Sequence, residues 1–394
     1  MKACLTNPVI RFLLRRTVPA IHPKYKYFGA NLAALWLAIL FYSKNRYYIN
    51  FLNTRYSVDL GMFHGKPLTL ALQTQGILFW LAIAYTVGGF IYYWRRQTAE
   101  PSHAYITIQA IRRWLQLAGS CLVRFPQAPA LPVAVISKEE RVSMLFLLLK
   151  FLYLPMMIEF MLANWTLLAG RWWSYSGVMS LPRLEAFNNF VFPCLIDVFF
   201  ITECALYAFG YAVESRRCRN LVKSVDPTFL GWAAALACYP PFNSLLNNWV
   251  GWYTSDDPTF QHDWVTAIAK FAILFCFVVY VWGAFSLGKK CSNLTNRGIV
   301  TSGAFGWVRH PAYAGKNLAW WIAMCAQISF VPLTVVPISW KDVFAAIGRP
   351  ILTMAFWSFI YFLRAITEER HLSNDADYIA YAQKVRYRFI PGVF

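Results

Sequence analysis

Arg309, His310 and Tyr313 stand together in the stretch RHPAYAG, between two long apolar runs, with Gly303 and Gly306 just before them and Gly315 closing the stretch. Here a glycine-bearing turn opens a helix, and Pro311 falls in the first turn, where its missing N–H costs nothing. The free N–H groups of that helix end, joined by the Arg309 guanidinium, make a site for an anionic group. A second segment, TEERHLSNDADYIAYAQKVRYRFIPGVF, places Glu368 and Glu369 about one turn past the last apolar run. Tyr378 and Tyr381 follow three residues apart, on one helical face. A pocket drawn from both segments would hold a cation or hydroxyls against carboxylates, an anion against Arg309 and a flat ring against tyrosines. Those are the needs of a charged, nucleotide-like cofactor. Taken singly, each residue has a plainer use: Arg309 meets lipid phosphates, His310 bonds locally, and the two glutamates pair with Arg364, Arg370 or Lys384 along an exposed helix. Together, on both sides of the last apolar hairpin, they read as a site, with Arg309 and Glu368 as its candidate catalytic groups.

The elements that must position these groups are membrane helices. The chain has 394 residues, 58% hydrophobic and 14% charged, far from the composition of a soluble globular domain. Its net charge of +19 comes from Lys and Arg clustered beside apolar runs, which fits membrane orientation rather than nucleic-acid binding. The nine cysteines are scattered, several within apolar runs, and form no C-x-x-C pair, so neither a disulfide framework nor a metal site is expected. No apolar stretch follows Arg11, Arg15 and Arg16 before His22 and Pro23, so no cleavable signal peptide is expected.

Spans of about 20 apolar residues are expected at 27–43, 70–93, 143–168, 189–213, 229–250, 264–287, 317–338 and 343–364. The fifth, with Pro240-Pro241 and then Asn243, Asn247 and Asn248, is expected to break midway. The N-terminal segment, the loops 94–142, 214–228 and 288–316 and the tail are rich in Lys and Arg, whereas 251–263 holds three aspartates and no base. Eight spans with both termini cytoplasmic satisfy that bias, despite the basic residues of the first outer loop. The expected fold is therefore an all-α, polytopic transmembrane bundle, with both motifs on the cytoplasmic face. The division expected is 1–142, with two spans and an interfacial helix; 143–262, central spans shaping substrate access; and 263–394, a cofactor-binding core with its tail. In AYITIQAIRRWLQLAGSCLVRF, Ile108, Ile111, Leu115, Ala118 and Leu122 recur at helical steps away from Arg112, Arg113 and Gln116, as in a helix lying among headgroups. The proline-bearing stretch that follows, up to Glu140, reads as an extended linker. Of the ionisable residues inside spans, Asp197 and Lys270 lie at matching depth and are expected to pair; Glu159 and Glu203 are left without a role.

Gly303, Arg309-His310-Pro311, Tyr313 and Gly315, then Glu368-Glu369, Leu372, Tyr378, Tyr381, Val385 and Ile390-Pro391 resemble the C-terminal signature of the isoprenylcysteine carboxyl methyltransferase and phospholipid methyltransferase superfamily. The resemblance covers roughly the last hundred residues. It implies an integral membrane enzyme that methylates a lipid or lipidated substrate with S-adenosylmethionine, in which Gly303, Arg309, His310, Tyr313, Gly315, Glu368, Glu369, Tyr378 and Tyr381 bind the cofactor. Where that family has Phe-Gly before the first tyrosine of the tail, this chain has Ala376-Asp377. The ending VRYRFIPGVF also resembles the tail of sterol reductases, a related fold that binds NADPH, but there the motif reads RHPNY with Gly and an acid after it, against Ala312 and Lys316 here. Methyl transfer ranks first on these grounds, NADPH-dependent reduction second. A transporter or lipid-binding protein without catalysis ranks third, since no internal repeat supports it. No strand, glycine-rich turn and helix form a Rossmann site, so the membrane helices and their cytoplasmic extensions must hold any cofactor.

Overall fold

The structure, a computed structural model, describes residues 22–63, 66–95, 100–124, 136–173, 181–330 and 339–393. In chain order they form α1 (Pro23–Lys44), α2 (Arg46–Leu52), β1 (Tyr56–Phe63), β2 (Lys66–Leu72), α3 (Thr74–Arg95), α4 (His103–Arg124), α5 (Lys138–Trp173) and α6 (Arg183–Ala212). Then come β3 (Ser224–Val225), α7 (Phe229–Leu236), α8 (Phe242–Val250), α9 (Asp263–Leu287), β4 (Thr295–Asn296), α10 (Pro311–Ser329), α11 (Trp340–Leu372) and α12 (Ala376–Lys384). Among the described helices, α3, α5, α6, α9 and α11 are long and apolar enough to cross a membrane, which makes the chain an integral membrane protein.

Two compact units divide it, one of residues 1–49 and 75–147, the other of 50–74 and 148–394. In the first, α1 and α3 join through polar groups set in apolar surfaces: Asn31 Nδ2 donates to the Tyr85 hydroxyl at 3.1 Å and Trp36 Nε1 to Thr86 Oγ1 at 3.2 Å. Such bonds matter between membrane helices because lipid supplies no hydrophobic push to hold them together. The amphipathic segment is the helix α4, with Ala104 and Ala110 buried and Ile108, Ile111 and Leu115 exposed, the apolar row a headgroup-lying helix presents. Ser137 and Glu140 cap α5 reciprocally, each side chain accepting from the other's backbone N–H, at 3.1 and 2.9 Å. Residues 125–135 of the expected linker lie outside the described residues.

In the second unit the all-helical expectation needs correction. Tyr56–Phe63 and Lys66–Leu72 pair as antiparallel strands, and the helix expected from residue 70 begins only at Thr74. The ends of this pair are fastened to α5: Tyr56 donates its hydroxyl to Glu159 Oε1 at 2.5 Å and Thr74 donates to Oε2. That gives the buried Glu159 two partners. The expected pairing of Asp197 with Lys270 is also corrected. Asp197 takes Arg171 Nε at 3.0 Å, while Lys270 Nζ reaches Asp257 Oδ1 at 2.5 Å and the Asn188 carbonyl at 2.6 Å. Matching depth in a membrane says nothing about which way two side chains turn around their helix axes.

The core lies between α6, α9 and α10, where Phe192, Ile196, Ile273, Phe277, Tyr280 and Ala319 are buried together. Gly315 makes the α9–α10 crossing close: a Cβ there would sit 2.5 Å from the Cys276 carbonyl oxygen. Trp321 Nε1 joins α10 to Ser358 Oγ of α11 at 2.9 Å. The fifth expected span is two short helices, as Pro240-Pro241 predicts: α7 of 8 residues and α8 of 9, about 12 and 14 Å long. Neither alone crosses a bilayer core. Together they carry the chain from β3, which pairs with β4, to the loop whose Asp257 meets Lys270 near the start of α9. Of the expected span 317–338, α10 ends at Ser329, and residues 331–338 lie outside the described ones.

Candidate functional site

The RHPAYAG segment is held by what surrounds it. Before it, a tight turn at Gly303–Gly306 rests on α9, with Gly303 at φ +65° and the N–H of Ala304 donating to Ser286 Oγ at 3.2 Å. A side chain at position 303 would be strained and would meet Ser286, so glycine is required there. After α12 the tail turns back and runs beside the segment: the N–H of Arg309 donates to the Tyr387 carbonyl at 2.9 Å and that of His310 to the Arg388 carbonyl at 2.8 Å. Tyr378, Tyr381 and Val385 of the tail form a small core with Ile299 and Phe305, and Tyr381 donates to the Phe305 carbonyl at 2.8 Å. Burial pushes both tyrosine hydroxyls far above the usual phenol range, so they stay protonated.

Glu369 is the hub between the two motifs. Its Oε2 accepts from Arg309 Nη1 at 3.1 Å and from Arg388 Nε at 3.0 Å, and its Oε1 lies 3.1 Å from His310 Nε2. Arg309 spends a further N–H on the Arg386 carbonyl at 3.1 Å. The arginine and carboxylate that the sequence sets at opposite ends of a ligand are therefore joined to each other. They fix the tail to the mouth of α10.

Glu368, one residue earlier, faces elsewhere. Its side chain is 44% exposed, it accepts the Tyr313 hydroxyl at 2.8 Å, and it lines a cavity with His310 and Tyr313. The rings of those two residues stack, 5.3 Å apart and 8° from parallel. From α11 the same cavity receives Arg364, Thr367, Glu368 and His371. Their spacing of three, four and seven residues puts them on one helical face. Arg364 is buried among the rings of Tyr239, Tyr313 and Tyr361, at 5.0 to 5.8 Å, and donates to Asn293 Oδ1 at 3.1 Å. Asp226, in the turn before α7, and Gly231, in its first turn, also line the cavity.

Of the residues expected to bind a cofactor, His310, Tyr313 and Glu368 line the cavity. Arg309, Glu369, Tyr378 and Tyr381 gather behind it and dock the tail, while Gly303 and Gly315 serve the turn and the helix crossing. Sequence reasoning gave no site role to Arg364 and His371, although their spacing from Glu368 marks the shared face. It missed Asp226 as well, which stands in a short loop far from both motifs. The arrangement offers a half-exposed carboxylate, a stacked pair of rings and a buried guanidinium around one space.

A family model described as a protein of unknown function (DUF1295) matches residues 250–385, so the chain carries that domain toward its C-terminus. The match runs from the end of α8 to just past α12; it takes in the first motif and the second as far as Val385, but neither Asp226 nor Gly231. No curated protein and no solved structure matches the chain.

Proposed function

We propose that this protein is an integral membrane methyltransferase, moving a methyl group from S-adenosylmethionine to a lipid or lipidated acceptor. The observation that carries the reading is the meeting of His310 and Tyr313 from the first motif with Glu368 from the second around one cavity. Acidic and aromatic lining fits the cofactor, since a sulfonium is favoured by a carboxylate and by ring faces. When bound, S-adenosylmethionine supplies a methyl group already activated for attack. The protein's work is then to align the groups and exclude water. Glu368 would face the positive charge and, for an amine acceptor, take its proton. The His310–Tyr313 stack would flank the ligand, with Tyr313 held by its bond to Glu368. Glu369, Arg309 and Arg388 would act as positioning residues that keep the tail closed behind His310.

Eight crossings, with both termini and the site on the cytoplasmic face, belong to this proposal. The five long apolar helices, α1, α10 and the broken α7–α8 pair supply eight, and the basic loops favour that orientation. A second reading, reduction with NADPH, draws support from Tyr313, whose hydroxyl next to Glu368 is placed to give a proton after hydride transfer. Calorimetry on the purified protein with S-adenosylmethionine and NADPH separates the two. Binding of S-adenosylmethionine alone is expected. Binding of NADPH alone replaces methyl transfer with reduction, and binding of neither removes both.

A further inference from the structure

Asp226 uses only half of its carboxylate. Oδ1 accepts from the backbone N–H of Thr228 at 2.9 Å and from its hydroxyl at 2.7 Å, closing the turn that leads into α7. Oδ2 has no hydrogen-bond partner among the described residues, although the side chain is only 2% exposed. The neighbouring cation, Arg370, stands 3.8 Å away, is half-exposed, and gives its own hydrogen bond to the Thr228 hydroxyl at 2.5 Å. His371, the residue after it on α11, spends Nε2 on Ser224 Oγ at 3.1 Å. A buried carboxylate oxygen left in this way carries a desolvation cost that a hydrogen-bond donor would relieve. Asp226 lines the cavity together with His310, Tyr313 and Glu368, so the donor can come from there. Gly231 leaves the oxygen its room: a Cβ on that residue would lie 2.1 Å from Oδ2.

We propose that Asp226 is a ligand-binding residue of this cavity, its Oδ2 accepting a hydrogen bond from a hydroxyl, amino or ammonium group of the bound cofactor. The proposal rests on the cofactor-binding reading above and adds to it a residue outside both motifs. A carboxylate oxygen rejects phosphate and carboxylate groups, so the part of the ligand it faces is neutral or cationic. In an adenosyl cofactor three groups meet that description, the ribose hydroxyls, the adenine amino group and the ammonium of the amino-acid portion.

The test is calorimetry on the full-length protein with S-adenosylhomocysteine, which carries all three donors, and with 5′-methylthioadenosine, which has the ribose and the adenine amino group but no ammonium. Asp226→Asn should weaken S-adenosylhomocysteine by roughly tenfold or more, the loss typical of a hydrogen bond to a charged group. An equal loss for methylthioadenosine assigns the oxygen to the nucleoside part, ribose or adenine amino group; a loss confined to S-adenosylhomocysteine assigns it to the ammonium. Gly231→Ala, which keeps the charge but crowds Oδ2, should also weaken binding. It decides the matter if Asp226→Asn fails to fold. Thr228→Ser, which keeps the hydroxyl and with it the bonds to Asp226 Oδ1, the Gly231 N–H and Arg370, should bind as the wild type does. Unchanged affinity in both Asp226→Asn and Gly231→Ala overturns the proposal while leaving the cofactor reading intact. So does an equal loss in Arg370→Gln, which would make Asp226 a mere partner of that arginine. A wild type that binds neither compound sinks the cofactor reading, and Asp226 with it.

Discussion

Arg309 and Glu369, sixty residues apart in the chain, are bound to each other: Nη1 lies 3.1 Å from Oε2, and the two side chains are only 12% and 9% exposed. Removing one member of a buried ion pair is costly chiefly because the other is left uncompensated. In Arg309→Ala, Glu369 keeps Arg388 and His310; in Glu369→Gln, two guanidiniums lose their shared carboxylate. Both changes should therefore destabilise, the second more, by about 3 kcal/mol or above. The signature is early release of the tail. Limited proteolysis should cut beyond Leu372 in Glu369→Gln under conditions where the wild type is protected, and equal protection of the two would show that the pair does not hold the tail.

Glu368 should behave in the opposite way. It is far more exposed than its neighbour, so Glu368→Gln should leave thermal stability within about 1 kcal/mol of the wild type. Its affinity for S-adenosylmethionine should fall by roughly tenfold or more, as befits the loss of a charged partner to a ligand. Tyr313→Phe, which frees the carboxylate from its 2.8 Å bond, should weaken binding less. Lys384→Ala, on the exposed side of α12, should bind normally. Tight binding in Glu368→Gln together with a large loss of stability would exchange the roles assigned to the two glutamates.

That contrast marks where the sequence stops being legible. Residue types, helix faces and the hairpin of the last two apolar runs bring the motifs together on paper. They do not tell which of two adjacent carboxylates turns toward the cavity, because neighbours on a helix point about 100° apart. The neighbours of Glu368 settle it, since Arg364, Thr367 and His371 share its face. The charge pairing of Asp197 and Lys270 was misread for a related reason, as equal distance along two helices does not fix the direction in which the side chains turn. The strand pair Tyr56–Phe63 and Lys66–Leu72 escaped because its second strand adjoins the apolar run of α3 and so looks like the start of a span. The long apolar helices and the break at Pro240-Pro241 were readable because they depend only on local composition.

The attachment of α12 should weaken in acid. Asp375 begins that helix, accepting the backbone N–H of Asp377 at 3.1 Å, and its carboxylate also takes Asn296 Nδ2 at 2.9 Å and Lys223 Nζ at 3.0 Å. The bonds from Asn296 and Lys223 hold its carboxyl below the usual range. A depressed carboxyl contributes stability that is fully present above its ordinary value, about 4, and is lost as pH falls through the lowered one. Lys223 is half-exposed, so the contribution is about 1 kcal/mol or less and shrinks with salt. Hydrogen exchange of the α12 amides should quicken in that acid window in the wild type. In Asp375→Asn it should be faster at neutral pH and lack this component, and an identical pH profile would remove Asp375 as the source.

The ion pair of Lys270 with Asp257 offers a test by asymmetry. Lys270 is 2% exposed and Asp257 42%, at 2.5 Å. Replacing the lysine with Met leaves an aspartate that water can reach, so Lys270→Met should cost little beyond the bond itself. Asp257→Asn leaves an ammonium deep between α6 and α9 with the Asn188 carbonyl and the Phe192 ring, 4.9 Å from its centroid. A buried charge without its counter-ion is the expensive case, about 3 kcal/mol or more. Thermal unfolding in detergent should therefore rank Asp257→Asn below Lys270→Met, and the double variant should recover most of the loss. If Lys270→Met proved the more damaging and the double variant recovered nothing, the lysine would be held by its packing against Phe192 rather than by its charge.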